Sequence, residues 1–358
     1  MPGVPRLSLS DAAALAARLY AIDAIATELP SERDQNLLLR TASGERFILK
    51  VANGNEPRDV LEAECAVMRH LASTGLAPRL IPTVDGRDIA EHGPNMLRVI
   101  SALDGRTLGS TPLHTDALRR NIGRAMGRLD RALASFDHPA FHRAFHWDLA
   151  NAADVVAANL TLVDDAVLRS HITTIAGHHA THVMPWLASF RRSVIHSDAN
   201  DYNVLVDETL QQVTGIIDFG DMVVSHTVND VAIAMAYVAL SAEDPLAAAA
   251  AVVAGYHQTH PLTERELSAL FPLMCMRLCV SACVAAKQQA ERPDADYLGI
   301  SQGPIASTLP ALKSSGATGV VRRSRPSSGA MRAAVALSQP TTREACGTGG
   351  NPHASRST

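Results

Sequence analysis

The chain has 358 residues, 47% of them hydrophobic, and a formal net charge of −4. That length and composition allow a large buried core with room for two lobes, and the slightly acidic balance gives no global attraction for nucleic acid or an anionic membrane. Five cysteines, an odd number, argue against a disulfide framework and fit a reducing cytoplasm.

The N-terminus lacks a basic segment followed by an apolar one, so no secretory leader is expected. The longest apolar stretch, Val231 to Gly255, is interrupted by Glu243-Asp244-Pro245. Two buried helices therefore fit it better than a membrane span.

In chain order, the Ala- and Leu-rich run Ser8 to Ala26, with Ser10-Asp11 near its start, predicts an N-capped helix. Leu37 to Arg40 and Arg46 to Val51 flank a Ser43-Gly44 turn and predict a β-hairpin. Asp59 to Ala72 carries Val60, Leu61, Val67, Met68 and Leu71 at helical spacing, and Gly75 to Pro78 ends it. Leu80 to Val84 and Asn95 to Ile100 read as strands, and Met96 to Gly105 as a connector between lobes. Beyond Leu108 the composition turns helical, first in the amphipathic Asp116 to Ala134. Phe145 to Asn151 contains Trp147 and Asp148, which admit two readings: contacts to a cationic substrate, or a packing ring beside a helix-capping carboxylate.

Ile172 to Phe190 is predicted as a helix with His171, His178, His179 and His182. Helical zinc sites of that spacing include a catalytic Glu, and none stands among these histidines, so a polar helix face is expected. Val228 to Leu240, Leu246 to Tyr256, Leu262 to Leu270 (Thr263 as N-cap, Glu266 at N3) and Phe271 to Gln289 are further helices. Cys275, Cys279 and Cys283 lie on one face of the last, as core residues rather than metal ligands.

Residues 194 to 221, VIHSDANDYNVLVDETLQQVTGIIDFGD, carry the chemistry. Two β-branched runs, Val204 to Val206 and Val213 to Ile217, flank a turn and predict a hairpin. His196-x-Asp198-x-x-x-x-Asn203 precedes it and Asp218-Phe219-Gly220 follows. This order matches the phosphoryl-transfer arrangement in which an Asp accepts the acceptor's proton and an Asn five residues on holds Mg²⁺. The Asp of D-F-G then holds the metal bridging the nucleotide phosphates. Both groups must meet at one phosphoryl group, and a hairpin returns the second carboxylate to the first. His196 is expected to brace the loop rather than take the proton, since Asp198 is already placed for that. Upstream, Phe47-Ile48-Leu49-Lys50-Val51 places Lys50 as the strand lysine for the α/β-phosphates, and Glu62 or Glu64 as the acid that pairs with it. There is no G-x-G-x-x-G, so Ser31 to Asn36 would cover the phosphates with backbone amides and polar side chains, among them Ser31 and Asn36.

The form H-x-D in place of H-R-D resembles the aminoglycoside phosphotransferase and choline kinase superfamily. IHSDANDYNVLV, IIDFGDMV, VNDVAIAMAYVAL, LPSERDQN, LDRALASFDHPAF and HWDL resemble a narrower group, the hydroxylysine kinase-like proteins and the phosphotransferase domains fused to class III aminotransferase-type lyases. The resemblance runs from about Ser8 to Pro310. It implies an α+β, protein kinase-like fold, with a small antiparallel N-lobe over 8–105 and a mainly helical C-lobe over 106–311. It also implies Mg²⁺, ATP or GTP as co-substrate, and a hydroxylated amino acid or amino alcohol as acceptor, with 5-hydroxylysine favoured over choline, ethanolamine, homoserine or an aminoglycoside. The family placement favours Glu64 over Glu62. Asp201, Tyr202 and Asp221 read either as acceptor contacts or as hydrogen-bonders that fix the loop. The reading of a different class is a pseudokinase that binds nucleotide without catalysis; a missing base or metal ligand would favour it, and all are present. Residues 312–358, rich in Ser, Gly, Arg, Thr and Pro, are expected to be disordered.

Overall fold

Residues 5–31, 33–111, 114–240, 242–291 and 302–315 are described by a computed structural model. Helix α1 (Leu9–Tyr20) comes first, with the Ser8 hydroxyl accepting from the Asp11 amide as its N-cap. It stops well short of Ala26, because Ala21 turns into the left-handed region at φ 55 and Ala24–Leu29 pairs as β1. Sheet pairing overrides the helical propensity of that Ala-rich stretch.

Strands β2 (Gln35–Thr41) and β3 (Arg46–Val51) form the expected hairpin. Helix α2 (Arg58–His70) follows, then β4 (Leu80–Ile81), β5 (Ala90–His92) and β6 (Asn95–Ser101). The antiparallel order is β1-β2-β3-β6-β4, with β5 also on β6. Side chains alternate between the faces of a strand. Leu37, Leu39, Leu49, Val51, Leu97 and Val99 therefore share one face, buried with Ala12, Leu15, Ala16 and Tyr20 of α1. The other parity puts Asn36, Lys50 and Arg98 in one cross-strand row facing the rest of the molecule. Since β6 runs to Ser101, the connector is shorter than the segment predicted from 96 and comprises residues 102–105.

Strand β7 (Arg106–Thr107) begins the second lobe, followed by α3 (Asp116–Leu133), α4 (Ala152–Asn159), α5 (Ala166–His182), β8 (Arg192–Ile195), β9 (Val204–Val206), β10 (Val213–Ile216) and β11 (Val223–His226). Then come α6 (Val228–Leu240), α7 (Pro245–Thr259), α8 (Glu264–Glu291) and α9 (Gln302–Ser315). Strands β9 and β10 form the predicted hairpin and β7 joins it; β8 pairs with β11. Helices α3 and α7 touch through glycines: a Cβ on Gly123 would lie 1.9 Å from the Val252 carbonyl oxygen, and one on Gly255 1.9 Å from that of Arg120.

Two predicted helices, 262–270 and 271–289, are one 28-residue helix that runs through Pro272. Packing of a largely buried helix outweighs the roughly 3 kcal/mol that an interior proline costs. Its start is the expected capping box: the Thr263 amide donates to Glu266 Oε2 at 2.8 Å and the Glu266 amide to Thr263 Oγ1 at 3.3 Å. By length and composition α8 could cross a membrane, but 83% of its apolar window is buried inside the protein, as befits a core helix. Cys275, Cys279 and Cys283 are free thiols in that core. Helix α9 carries the chain to Ser315 with Leu312 buried, so the expectation of disorder from 312 fails for its first four residues; the rest of that tail lies outside the described residues.

Candidate active site

Strand β8 delivers the chain to the loop 196–203, and the loop is held from beneath by a buried carboxylate. Asp230, near the start of α6 and fully buried, accepts from the backbone amides of His196 at 3.0 Å and Ser197 at 2.8 Å. Charge-assisted bonds of this kind are the strong ones. They hold Ser197 at a positive φ of 67, a conformation that a non-glycine residue adopts only when its surroundings over-determine it. The His196 ring is buried, bonds the Ile217 carbonyl through Nε2 at 3.0 Å and packs edge-on against Phe219. It ties the loop to the D-F-G turn, as a brace does.

Asp198 is engaged by three donors. Its Oδ2 accepts from the side-chain amides of Asn200 at 2.9 Å and Asn203 at 2.8 Å, and its Oδ1 from Arg277 Nη2 at 2.9 Å. Burial pushes its pKa up to about 6, against the pull of Arg277. The Asn203 amide nitrogen also donates to the Asp198 carbonyl at 2.9 Å. With both amide hydrogens spent on Asp198, its carbonyl oxygen is left to face elsewhere. Asn203 is bonded across the hairpin through its own carbonyl to the Ile217 amide at 2.9 Å, which puts Asp218 beside it.

Asp218, at φ 64, is half-exposed and lies 3.6 Å from Lys50 Nζ. The Lys50 ammonium holds its pKa below the ordinary range. An amide oxygen and an ionised carboxylate on adjacent strands are hard oxygen donors of the kind Mg²⁺ takes, so Asn203 and Asp218 fit that ion.

One expected pairing fails. Glu64 does not hold Lys50; it pairs at 2.5 Å with Arg98, both side chains almost wholly buried. Lys50 and Arg98 are cross-strand partners, and the planar guanidinium of Arg98 captures the α2 carboxylate, leaving Lys50 for Asp218. Glu62 is an exposed partner of Arg58. In the covering loop Ser31 is exposed and Asn36, beside Lys50 in register, has a buried side-chain oxygen without a hydrogen-bond partner in the described structure. Arg33 reaches across to Asp221 at 2.6 Å, a contact the sequence did not announce. The D-F-G turn is further fixed by Arg143, which donates to the carbonyls of Gly220 at 2.6 Å and Met222 at 3.0 Å.

The five residues named for the acceptor divide. Asp148 is buried, accepts from the Ala150 amide at 3.0 Å as a cap and bonds the Ser225 hydroxyl, so its role is structural. The Trp147 ring faces the guanidinium of Arg277 at 4.8 Å, so the cation on that face is the protein's own. Asp221 belongs to Arg33. Asp201 remains: its backbone carbonyl accepts from the Gly109 amide at 2.7 Å, burial raises its pKa, and it has no ion pair among the described residues. A Cβ on Gly109 would stand 2.9 Å from its Oδ2 and 3.4 Å from the Tyr202 ring. Tyr202 itself is 54% exposed.

Residues 25–267 match the model of the phosphotransferase enzyme family. Hydroxylysine kinase of Xenopus laevis is 30% identical over 311 residues, covering 78% of this chain and 83% of its own, and that of Mus musculus is 29% identical over 290 residues, covering 72% and 76%. Among solved structures, a microcompartment-associated aminopropanol kinase superposes with a TM-score of 0.69 at 17% identity, over 86% of this chain and 97% of its own; at that identity it shows the kinase-like fold. This chain belongs to the phosphotransferase enzyme family and is a small-molecule kinase acting on a hydroxyl group.

Proposed function

We propose that the chain transfers the γ-phosphoryl group of ATP or GTP to the side-chain hydroxyl of a hydroxylated amino acid, 5-hydroxylysine or a close analogue. The observation that carries this reading is the likeness to hydroxylysine kinases over most of both chains, joined to a site whose base and metal donors converge.

In this reading Asp198 accepts the hydrogen of the acceptor hydroxyl and orients its oxygen for in-line attack; the proton goes to the carboxylate as the P–O bond forms and the nucleoside diphosphate leaves. Lys50 neutralises charge on the α- and β-phosphates. Asn203 and Asp218 hold Mg²⁺, which when bound offsets the negative charge of the phosphoryl oxygens. Asp201 receives an ammonium group of the acceptor; half-buried and without an ion pair among the described residues, it suits a cation that arrives with the substrate. His196 stays a brace throughout. The cytoplasm, where nucleotide is abundant and free thiols persist, is the compartment that fits.

Purified protein with Mg²⁺ and either ATP or GTP, offered 5-hydroxylysine, homoserine, choline, ethanolamine, aminopropanol and an aminoglycoside, tests this directly. Turnover is expected with 5-hydroxylysine and is expected to fall about 1,000-fold or more in Asp198→Asn. Preference for an acceptor lacking the amino-acid group would overturn the substrate class. Nucleotide binding without turnover on any acceptor would favour the pseudokinase.

A further inference from the structure

Helix α8 is apolar from Phe271 to Ala286 but for one charge, Arg277, whose side chain is 2% exposed. A buried guanidinium costs several kcal/mol unless it is well paired, so its surroundings show what holds it there. Nη2 donates to Asp198 Oδ1 at 2.9 Å and to the Tyr237 hydroxyl at 3.3 Å, and Nη1 to the Trp147 carbonyl at 3.4 Å. The guanidinium carbon lies 4.8 Å from the centre of the Trp147 ring and 5.5 Å from that of Tyr237. Two aromatic rings thus lie within cation–π reach of a cation whose carboxylate partner among the described residues is Asp198.

We propose that Arg277 is a positioning residue that sets the orientation of Asp198 toward the acceptor hydroxyl. A carboxylate has about four lone-pair directions. Asn200 and Asn203 occupy Oδ2 and Arg277 occupies one direction of Oδ1, which leaves the remaining Oδ1 lone pair for the hydroxyl. Without Arg277 the carboxylate is held through Oδ2 alone, and the direction of the reactive Oδ1 loses its only anchor among the described residues. Recognition of an acceptor carboxylate by Arg277 is the competing role; its burial and the commitment of Nη2 to Asp198 and Tyr237 oppose it, while its buried Nε, without a hydrogen-bond partner among the described residues, is the donor such a role would use. The inference rests on Asp198 as the hydroxyl-orienting group and requires phosphoryl transfer, not one particular acceptor.

The test compares Arg277→Met and Arg277→Lys with wild type on whichever acceptor turns over, reading kcat, both KM values and the thermal melt. For Arg277→Met the expected result is a kcat loss of about 100-fold with both KM values within about threefold of wild type, because misplacement at the reacting atoms costs rate rather than binding. Arg277→Lys keeps the charge but not the planar fork and should regain part of that loss. A raised acceptor KM with kcat preserved would assign Arg277 to acceptor binding, and unchanged kcat would leave it a purely structural residue; either result overturns the proposal. Should Arg277→Met fail to fold, Trp147→Leu, which removes the ring nearer the guanidinium, must still lower kcat without moving nucleotide KM; an unchanged kcat there also refutes it. If wild type phosphorylates none of the acceptors, that counts against the substrate class, and slow nucleotide hydrolysis supplies the same comparison of variants.

Discussion

The two loops proposed to flank the nucleotide phosphates are built in opposite ways. Residues 196–203 are buried or half-buried apart from Tyr202 and held by charge and hydrogen bonds: Asp230 beneath two backbone amides, Arg277 and two asparagines on Asp198, and His196 bonded to the Ile217 carbonyl. The covering loop between β1 and β2 is largely exposed, and its cross-lobe tie is the pair Arg33–Asp221, with the Arg33 side chain 51% exposed. In the proposed reaction, geometry at the acceptor hydroxyl is therefore fixed in advance, while the covering loop has fewer ties to hold it. This suits a reaction in which catalysis is almost entirely positioning and charge.

Removing the support beneath the catalytic loop should break the contrast most strongly. Asp230→Ala strips two buried amides of a charged acceptor, at about 1.5–3 kcal/mol for each such hydrogen bond. A melt lowered by many degrees, with kcat down about 100-fold in whatever protein still folds, is expected. Near-wild-type kcat in the variant would show that Ser197 keeps its φ without help. A smaller effect follows from pH. Asp198 must be ionised to accept a proton, and burial raises its pKa to about 6. The rate should be level above that value and fall about tenfold per unit below it; a flat profile down to pH 5 would place the limiting ionisation elsewhere.

On the exposed side, Arg33→Ala should leave kcat nearly unchanged, since a surface ion pair contributes about 1 kcal/mol or less. The change belongs in nucleotide KM, within about fivefold, and a collapse of kcat would erase the distinction between the loops. The smallest effect concerns Asp130, fully buried behind Asp230, whose Oδ2 accepts from the Tyr256 hydroxyl at 2.5 Å. Burial and Asp230 raise its pKa well above the usual value. A raised folded-state pKa gives stability that is complete below the unfolded value near 4 and declines as pH rises toward the folded one. Asp130→Asn should flatten that decline. The melting temperatures of the two proteins should converge at low pH and differ at pH 8, with the variant the higher.

What the sequence revealed was local in the chain. His196, Asp198, Asn203 and Asp218 sit within one hairpin's length, so their motif order and spacing predicted their meeting, and Lys50 followed from a strand-lysine pattern upstream of that motif. The partners supplied by tertiary structure were hidden. Arg98 takes Glu64 because β6 pairs beside β3, a register that no local pattern contains. Arg277 meets Asp198 from a helix 79 residues further on. A lone arginine inside M-C-M-R-L-C-V was nonetheless a signal that a buried charge required a partner. Strand β1 was masked by an alanine-rich run with helical propensity, and α8 by a proline that local rules treat as a break.

The glycines where α3 meets α7 also bear on mechanics. With backbones so close that a methyl group at Gly123 or Gly255 would collide with a carbonyl, these two helices cannot slide or rock past each other without clashing, and they pack with α6 into one block. The four residues 102–105, including Gly105 at φ 113, form the stretch of chain joining β6 to β7, and because Val67, Met68 and Leu71 share one apolar core with α3 and α6, any shift of the small lobe would have to repack that core as well as bend the strap.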